Sequence, residues 1–411
     1  MSGSVIRCLV FFSAAICCAE THFVSPAGNS TSPFTNWVDA ATNIQDAIDV
    51  AANGSSVVVT DGTYFLSTTI LITNEIFFTS VNGASHTQIQ AQDHAGGCLY
   101  LSCSNAVVHG FTLSEGIKLG EIGGGGVCIS GAGTIECCII TDNAAQYGAG
   151  VYLYNGGLIR NSYVHGNWAN GGHGGGVYCD NGGVVENCLI YDNSAQAGGN
   201  GGGVYCRNGG TLLNCTIAAN WAEEYDFWYG QGGGVYCTSN TTIANTIIVS
   251  NRAYAGDNHY NTGTGITYSF CVSVPELAGD GNSTNDPHFV NFSGQDFHLK
   301  ADSPCVDAGT NYDWMATAKD IDGQIRIFNE RVDIGADEAV VEAFSVGNSG
   351  IVTTLWNTVV GATCSLQYAS ALVAPDWTNV SETVVTTNSV TEFVITNFEK
   401  TCSCFRLNWR R

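Results

Sequence analysis

The chain has 411 residues, and its 13 basic against 36 acidic side chains give a formal charge of −23. That balance repels phosphate backbones and anionic membranes, which argues against nucleic acid as a partner. At 45% hydrophobic and 12% charged residues it is not a disordered polyelectrolyte. The acid surplus suits solubility, and clustered carboxylates would also suit a divalent cation such as calcium.

Residues 1–19 are expected to be an export signal. Arg7 supplies positive charge, Cys8 to Cys18 form a short apolar run, and Cys17 and Ala19 are small residues before a cut at Glu20. A lipoprotein reading of Cys17 or Cys18 fits less well, because Ile16 or Cys17 stands where a small residue is usual. The run is too short to span a bilayer, and no later segment is long and apolar enough. The mature protein is expected outside the cytoplasm, with no membrane insertion.

Asn36 to Ala52 predicts an amphipathic helix capping the start of the fold. Trp37, Ala40, Ala41, Ile44, Ala47, Ile48 and Ala51 recur at helical spacing, Asn36 with Asp39 resembles a capping box, and Gly54 suits a stop. Val57 to Thr60 and Thr69 to Ser80 follow as the first strands.

A repeat then dominates. Gly174 to Cys179 (GGGVYC) recurs at Gly201 to Cys206 and Gly232 to Cys237, with degenerate copies at Gly96, Gly124 and Gly148. A second motif ends at Asn143, Asn167, Asn193, Asn220 and Asn251, in fixed phase with the first. Two motifs sharing a period near 25 residues, with short β-like runs, predict one turn of a parallel β-helix per repeat. Alternation points Val177, Cys179, Cys188 and Ile190 inward and Tyr178 outward.

Stacked turns then align equivalent residues. Cys179, Cys206 and Cys237 form one inner column and Cys138, Cys188 and Cys215 another, so most thiols are expected to be apolar core. Asn161, Asn187, Asn214 and Asn245 are expected at one corner and Asn143 to Asn251 at a second. There asparagine would tolerate the left-handed conformation and bond from turn to turn.

The turn between Cys206 and Cys237 is the longest, and its extra residues read WAEEYDFWYGQ. Trp221, Tyr225, Phe227, Trp228 and Tyr229 alternate there with Glu223, Glu224 and Asp226. Aromatic faces stack on sugar rings, and carboxylates accept hydroxyl hydrogen bonds or act as acid and base. Asp180 and Arg207 should face outward beside Tyr178 and Tyr205, and Trp168 occupies the post-asparagine position of Trp221. Together these make a candidate carbohydrate-binding face; the alternative is a loop that packs on its own wall.

Beyond residue 285 the repeat fades. Asp320, Asp322, Asp333 and Asp337 could ligate calcium, but the loop pattern is incomplete, and residues 286–341 are expected to form a closing cap rich in hydrogen-bonded turns. Residues 342–411 predict a small β-sandwich. Trp356, Tyr368, Trp377 and Phe405 would be its core, and Cys364 with Cys402 or Cys404 the most plausible disulfide.

The GGGVY turns with their [IV]-x-x-N corners resemble the right-handed β-helix repeat family of the pectin-lyase-like superfamily. They are also similar to the repeats of polymorphic outer-membrane proteins. The resemblance implies an all-β, right-handed parallel β-helix over residues 20–285. The segment DPHFVNFSGQDFHLKADSPCVDAG…RVDIGADE resembles a choice-of-anchor Q region, and the last part resembles sandwich modules of exported proteins. For activity, lyases of the superfamily imply a basic residue beside calcium or arginine. Across the repeats only Lys118, Arg160, Arg207 and Arg252 are such bases, and they are scattered. Hydrolases imply NTD and Arg-Ile-Lys elements that the repeats lack; Gly172-His173-Gly174 matches a third element by letters alone. Two classes therefore stand: a secreted or cell-surface protein binding a glycan or partner without catalysis, and a polysaccharide lyase or hydrolase.

Overall fold

The computed structural model describes residues 19–339 apart from 93–95, 121–122, 226–227, 301 and 328–329, together with the backbone of the strands between 343 and 410. The export signal predicted for residues 1–19 lies outside the described residues except at its last position.

Each repeat makes one turn from short strands. In a central turn these are Val177–Asp180, Val184–Glu186, Leu189–Tyr191 and Ser194–Ala195. Equivalent strands of successive turns pair in parallel into four walls of eight, ten, nine and five strands respectively. The eight-stranded wall runs from Ile70–Ile72 to His259–Asn261 and is called the tyrosine wall below. In-register pairing sets Val177 between Val151 and Val204, and Cys179 beside Cys206 and Cys206 beside Cys237, as the period predicts. The inward valines and cysteines are fully buried.

The described cysteines are free thiols. Those of the second column do more than fill space. Cys138, Cys188, Cys215 and Cys271 each donate Sγ–H to the carbonyl two residues back, on Glu136, Glu186, Leu213 and Ser269. Ser162 and Thr246 fill the same column and make the same bond with oxygen. The column is thus a set of small donors tying down a sharp corner, which the cysteine count alone did not disclose.

The asparagine corners divide in two. Asn161, Asn187, Asn214 and Asn245 do adopt left-handed φ of 48–51°. At the other corner the left-handed residue is the one before the asparagine: Asp142, Gly166, Asp192, Ala219 and Ser250. Asn143 to Asn251 are instead buried hydrogen-bond connectors. In each, the amide nitrogen reaches the oxygen of the next asparagine, as from Asn167 to Asn193 at 2.9 Å and from Asn193 to Asn220 at 3.0 Å. A third series, Asn155, Asn181 and Asn208, follows the tyrosine wall with side-chain bonds of 3.1 Å.

The capping helix is shorter than predicted, Ile44–Val50. Asn43, whose side chain accepts from the Gln45 N–H, is its N-cap, not Asn36. Residues before it are held extended: the Ala41 N–H bonds the Phe23 carbonyl and Ala41 bridges Val24, so the helix cannot start earlier. Asn36 and Asp39 bond each other locally, and Trp37 packs on Phe23. Ile44, Ala47 and Ile48 face the core as expected. The helix stops at Ala51, three residues before Gly54. The first strand is Thr21–Val24, and the predicted run to Ser80 breaks into Ile70–Ile72 and Phe77–Ser80.

Residues 286–339, expected to form a closing cap, pack along a flank of the solenoid. Phe289, Phe297, Leu299, Cys305 and Ile334 form a second core with Leu189, Ala218, Ile247 and Val272 on the outer face of the nine-stranded wall. Those outward residues are apolar and need cover, which decides where the segment goes. The Gly335 N–H bonds the Asn245 carbonyl, and the Asn187 amide bonds the Lys319 carbonyl.

Farther on, Ala343–Asn348, Ile351–Asn357 and Val390–Thr396 make one antiparallel sheet. Thr363–Ala369, Thr378–Asn379, Val384–Val385 and Cys404–Arg410 make another. The backbone register pairs Cys404 with Ala369 and Cys364 with Trp409. That sets Cys364 and Cys404 roughly 17 Å apart along the strands, too far for the disulfide considered above. Cys402 and the proposed core side chains Trp356, Tyr368, Trp377 and Phe405 lie outside the described residues.

Candidate functional site

The outward positions of the tyrosine wall stand in register: Tyr100, Cys128, Tyr152, Tyr178, Tyr205, Tyr236 and Tyr260. From Tyr152 onward the rings stack at centroid spacings of 5.3, 4.9, 4.9 and 5.7 Å. They point outward as alternation predicts, yet Tyr178 is only 3% exposed, because each ring covers the next. Tyr147 and His173, at the ends of the five-stranded wall, lean over this column. His173 stacks on Tyr205 at 4.7 Å, and Tyr147 meets Tyr178 edge-on at 5.5 Å.

Between these rings lies a groove of about 790 Å³, lined by Tyr100, Cys128, Tyr152, Tyr178, Asp180 and Arg207 among others. Asp180 is its polar centre. The carboxylate is 5% exposed, and Oδ2 accepts a 2.9 Å hydrogen bond from the Tyr152 hydroxyl. Arg207 Nη1 lies 3.6 Å from the same oxygen. Oδ1 is buried without a hydrogen-bond partner. Such an oxygen costs free energy until something donates to it. Burial, then the bond to Asp180, raises the Tyr152 phenol above its ordinary range. Burial also lifts Tyr205 to about 12 and keeps His173 below the usual imidazole value, hence neutral. The groove therefore presents neutral aromatic donors around one acceptor, with a guanidinium at its edge.

The predicted site residues fall into two places. Asp180 and Arg207 sit together in this groove, where the period placed them. Trp168 and Trp221 lie in register on the five-stranded wall with Ser194 between them. Trp221 is 43% exposed and stacks beneath the Arg252 guanidinium at 5.3 Å. Trp168 lines a separate hollow of about 280 Å³ with Gln90, Glu115 and Asp142. In the long turn, Glu224–Tyr225 pairs antiparallel with Trp228–Tyr229. Tyr229 stacks on exposed Tyr254 at 4.2 Å, and partial burial raises the Glu223 carboxyl pKa. Asp226 and the side chains of Glu224, Tyr225 and Trp228 lie outside the described residues. Tyr147, His173 and the break in the column at Cys128 were missed. A signal for the first two exists: each is the residue directly before a glycine run.

The C-terminal aspartates act chiefly as turn builders. Asp320 accepts from the N–H groups of Asp322, Gln324 and Glu338, and Asp333 from those of Asp307 and Ala339. Two groupings have ligand spacing for a cation, His298 with Asp322 and Asp337, and Asp307 with Asp333 and Glu338. His298, however, is hydrogen-bonded by Asp322 on one nitrogen and Asp296 on the other. Its pKa rises to about 10, chiefly through the hydrogen bond to Asp322, so in this arrangement it is a protonated partner of the carboxylates around it.

Residues 97–273 match the family described as "Right handed beta helix region". Among solved structures, that of pectate lyase Pel9A is similar with a TM-score of 0.41 at 16% identity, covering 78% of this chain and 96% of the other. The Dettilon tailspike protein gp208 is similar with a TM-score of 0.35 at 13% identity, covering 86% of this chain and 79% of the other. No curated protein matches the chain.

Proposed function

Starting from a chain that is a right-handed parallel β-helix, we propose that it is an exported protein binding a polysaccharide along the tyrosine wall. The observation that carries this is the Asp180 carboxylate, nine-tenths buried, with one oxygen unpartnered in a groove of stacked tyrosines. A sugar hydroxyl admitted by a shift of the covering side chains would satisfy that oxygen, and its ring would stack on the phenols. Exposed Trp221, Tyr229 and Tyr254 offer further stacking surface beside the long turn. Asp180 is the one carboxylate among the groove's described lining residues, whereas glycoside hydrolysis ordinarily uses two. The groove supports binding without needing turnover.

Glycan-array screening of the purified protein, followed by calorimetry on the hits, tests the reading. Asp180→Asn should weaken binding by at least tenfold with the fold retained. Reducing-end and unsaturated-product assays on the same glycans should show no turnover. Binding unchanged in Asp180→Asn, or product accumulating, would overturn it.

A further inference from the structure

Away from the groove, the flank gathers three metal-ligating side chains from three separate pieces of chain. His298 lies on the strand Asp296–Leu299, Asp322 in a turn, and Asp337 on the stretch that bonds back to that strand. One ligand atom of each lies within 4.8 Å of the other two. The imidazole is held in a definite orientation, with Nδ1 bonded to Asp296 and Nε2 facing Asp322 Oδ2 at 2.7 Å. A carboxylate on the far nitrogen of a ligating histidine fixes the ring and directs its other nitrogen at the metal. Asp337 supplies an independent observation. Its side chain is more than nine-tenths buried, and its Oδ2 accepts the Leu299 N–H at 2.7 Å, while Oδ1 accepts no hydrogen bond among the described residues. Asp337 and His298 line a cavity of about 60 Å³ with Tyr163 and Gln295, which has room for an ion and its water. Asp320 and Asp322 both add like charge at Asp337. A buried carboxylate with a spare oxygen among like charges gains from a cation.

We infer that His298, Asp322 and Asp337 bind one divalent metal ion of the zinc type, with Asp296 orienting the imidazole from behind. One nitrogen and two carboxylate oxygens leave a fourth tetrahedral position for water from the cavity. Calcium asks for about six to eight oxygens, whereas imidazole suits zinc. Ligand atoms of a tetrahedral zinc site lie roughly 3.4 Å apart. Asp322 therefore draws back slightly from Nε2 as Asp337 closes on it, by side-chain rotation. Binding sends the Nε2 proton to solvent and leaves the Nδ1–H on Asp296. Without the ion, that proton holds the carboxylates together in the arrangement described above. The ion clips the strand, the turn and the end of the flank to one another. Tyr163, whose hydroxyl lies 3.4 Å from Asp322 Oδ1, joins the clip to the nine-stranded wall.

The test is calorimetric titration of the full chain, first stripped with a chelator, with zinc chloride and separately with calcium chloride. Wild type should take up one zinc per chain with a Kd below about 10 μM, at least tenfold more tightly than calcium. Its melting temperature should rise with zinc. His298→Gln and Asp337→Asn should each weaken zinc binding at least tenfold, and Asp296→Asn by about tenfold or more. His86→Gln, at an exposed histidine far along the chain, should leave binding unchanged. If the flank variants misfold by circular dichroism, anomalous X-ray scattering at the zinc edge from wild-type crystals locates the ion. Density between His298, Asp322 and Asp337 is the expected result. A Kd above about 10 μM, calcium bound as tightly as zinc, zinc uptake indifferent to His298 and Asp337, or density only elsewhere would overturn the site.

Discussion

Replacing Asn193 with alanine should be among the most damaging single changes in the solenoid. The side chain is 1% exposed. Its nitrogen donates to the Val164 carbonyl at 2.8 Å, the Tyr191 carbonyl at 3.0 Å and Asn220 Oδ1 at 3.0 Å. Its oxygen accepts from the Asn167 backbone at 3.1 Å and the Asn167 amide at 2.9 Å. Alanine removes all five bonds and leaves the buried Asn167 N–H unpartnered. An unsatisfied buried donor costs about 1–3 kcal/mol, and each other lost bond about 0.5–1.5 kcal/mol, partly relieved by relaxation. The loss should be roughly 3–6 kcal/mol. Urea unfolding followed by circular dichroism measures it, with Asn208→Gly as comparison. That asparagine is left-handed, exposed and singly bonded to Asn181, so glycine there should cost about 1 kcal/mol or less. A loss below about 1 kcal/mol at Asn193, or one equal to that at Asn208, would refute the ladder argument.

Cys188→Ser should change stability by no more than about 1 kcal/mol, because Ser162 already makes the same bond one turn earlier; Cys188→Val, which cannot donate, should cost visibly more in the same urea titration. Tyr152→Phe should destabilise by about 1–3 kcal/mol, since the buried Asp180 carboxylate loses its hydroxyl donor. The flank should loosen in alkali. His298 is raised from 6.5 to about 10 by Asp322, so its contribution is complete below pH 6.5 and is lost as pH rises through 10. Asp337, raised to about 7 by burial, works in the same direction between pH 4 and 7. Melting temperature should therefore fall from pH 6.5 to 10, and His298→Gln should flatten that fall. The His298 share is of order 1–2 kcal/mol once solvent screening of a partly exposed pair is allowed for.

The turn-to-turn architecture was legible because valine, cysteine and asparagine recur in phase, and pleating then settles which way each points. Asp180 and Arg207 could be placed beside the tyrosines for the same reason. What escaped was tertiary. Nothing local stops Asn36 to Asn43 from being helical; the backbone of Phe23 and Val24 does, by pairing with Ala41. The flank packing did leave a trace, in outward positions such as Leu189 and Ile247 that are apolar where water would be expected. Tyr147 and His173 escaped because their link to the tyrosine column crosses the corner where turns differ in length.

That corner has a consequence for how such a molecule can vary. From Val127 to Asn143, Val151 to Asn167, Val177 to Asn193, Val204 to Asn220 and Val235 to Asn251 the distance is the same in each of these five turns. The asparagine ladder permits no other, since one added residue would pull an amide out of line with both neighbours. From each asparagine to the next valine the length drifts freely, and the long turn with its hairpin is the extreme case. Three walls serve as a fixed gauge while one edge is open to growth. Across these turns new loops accumulate along the rim of the tyrosine wall, where a change of sequence alters what the groove meets without disturbing the stack beneath it.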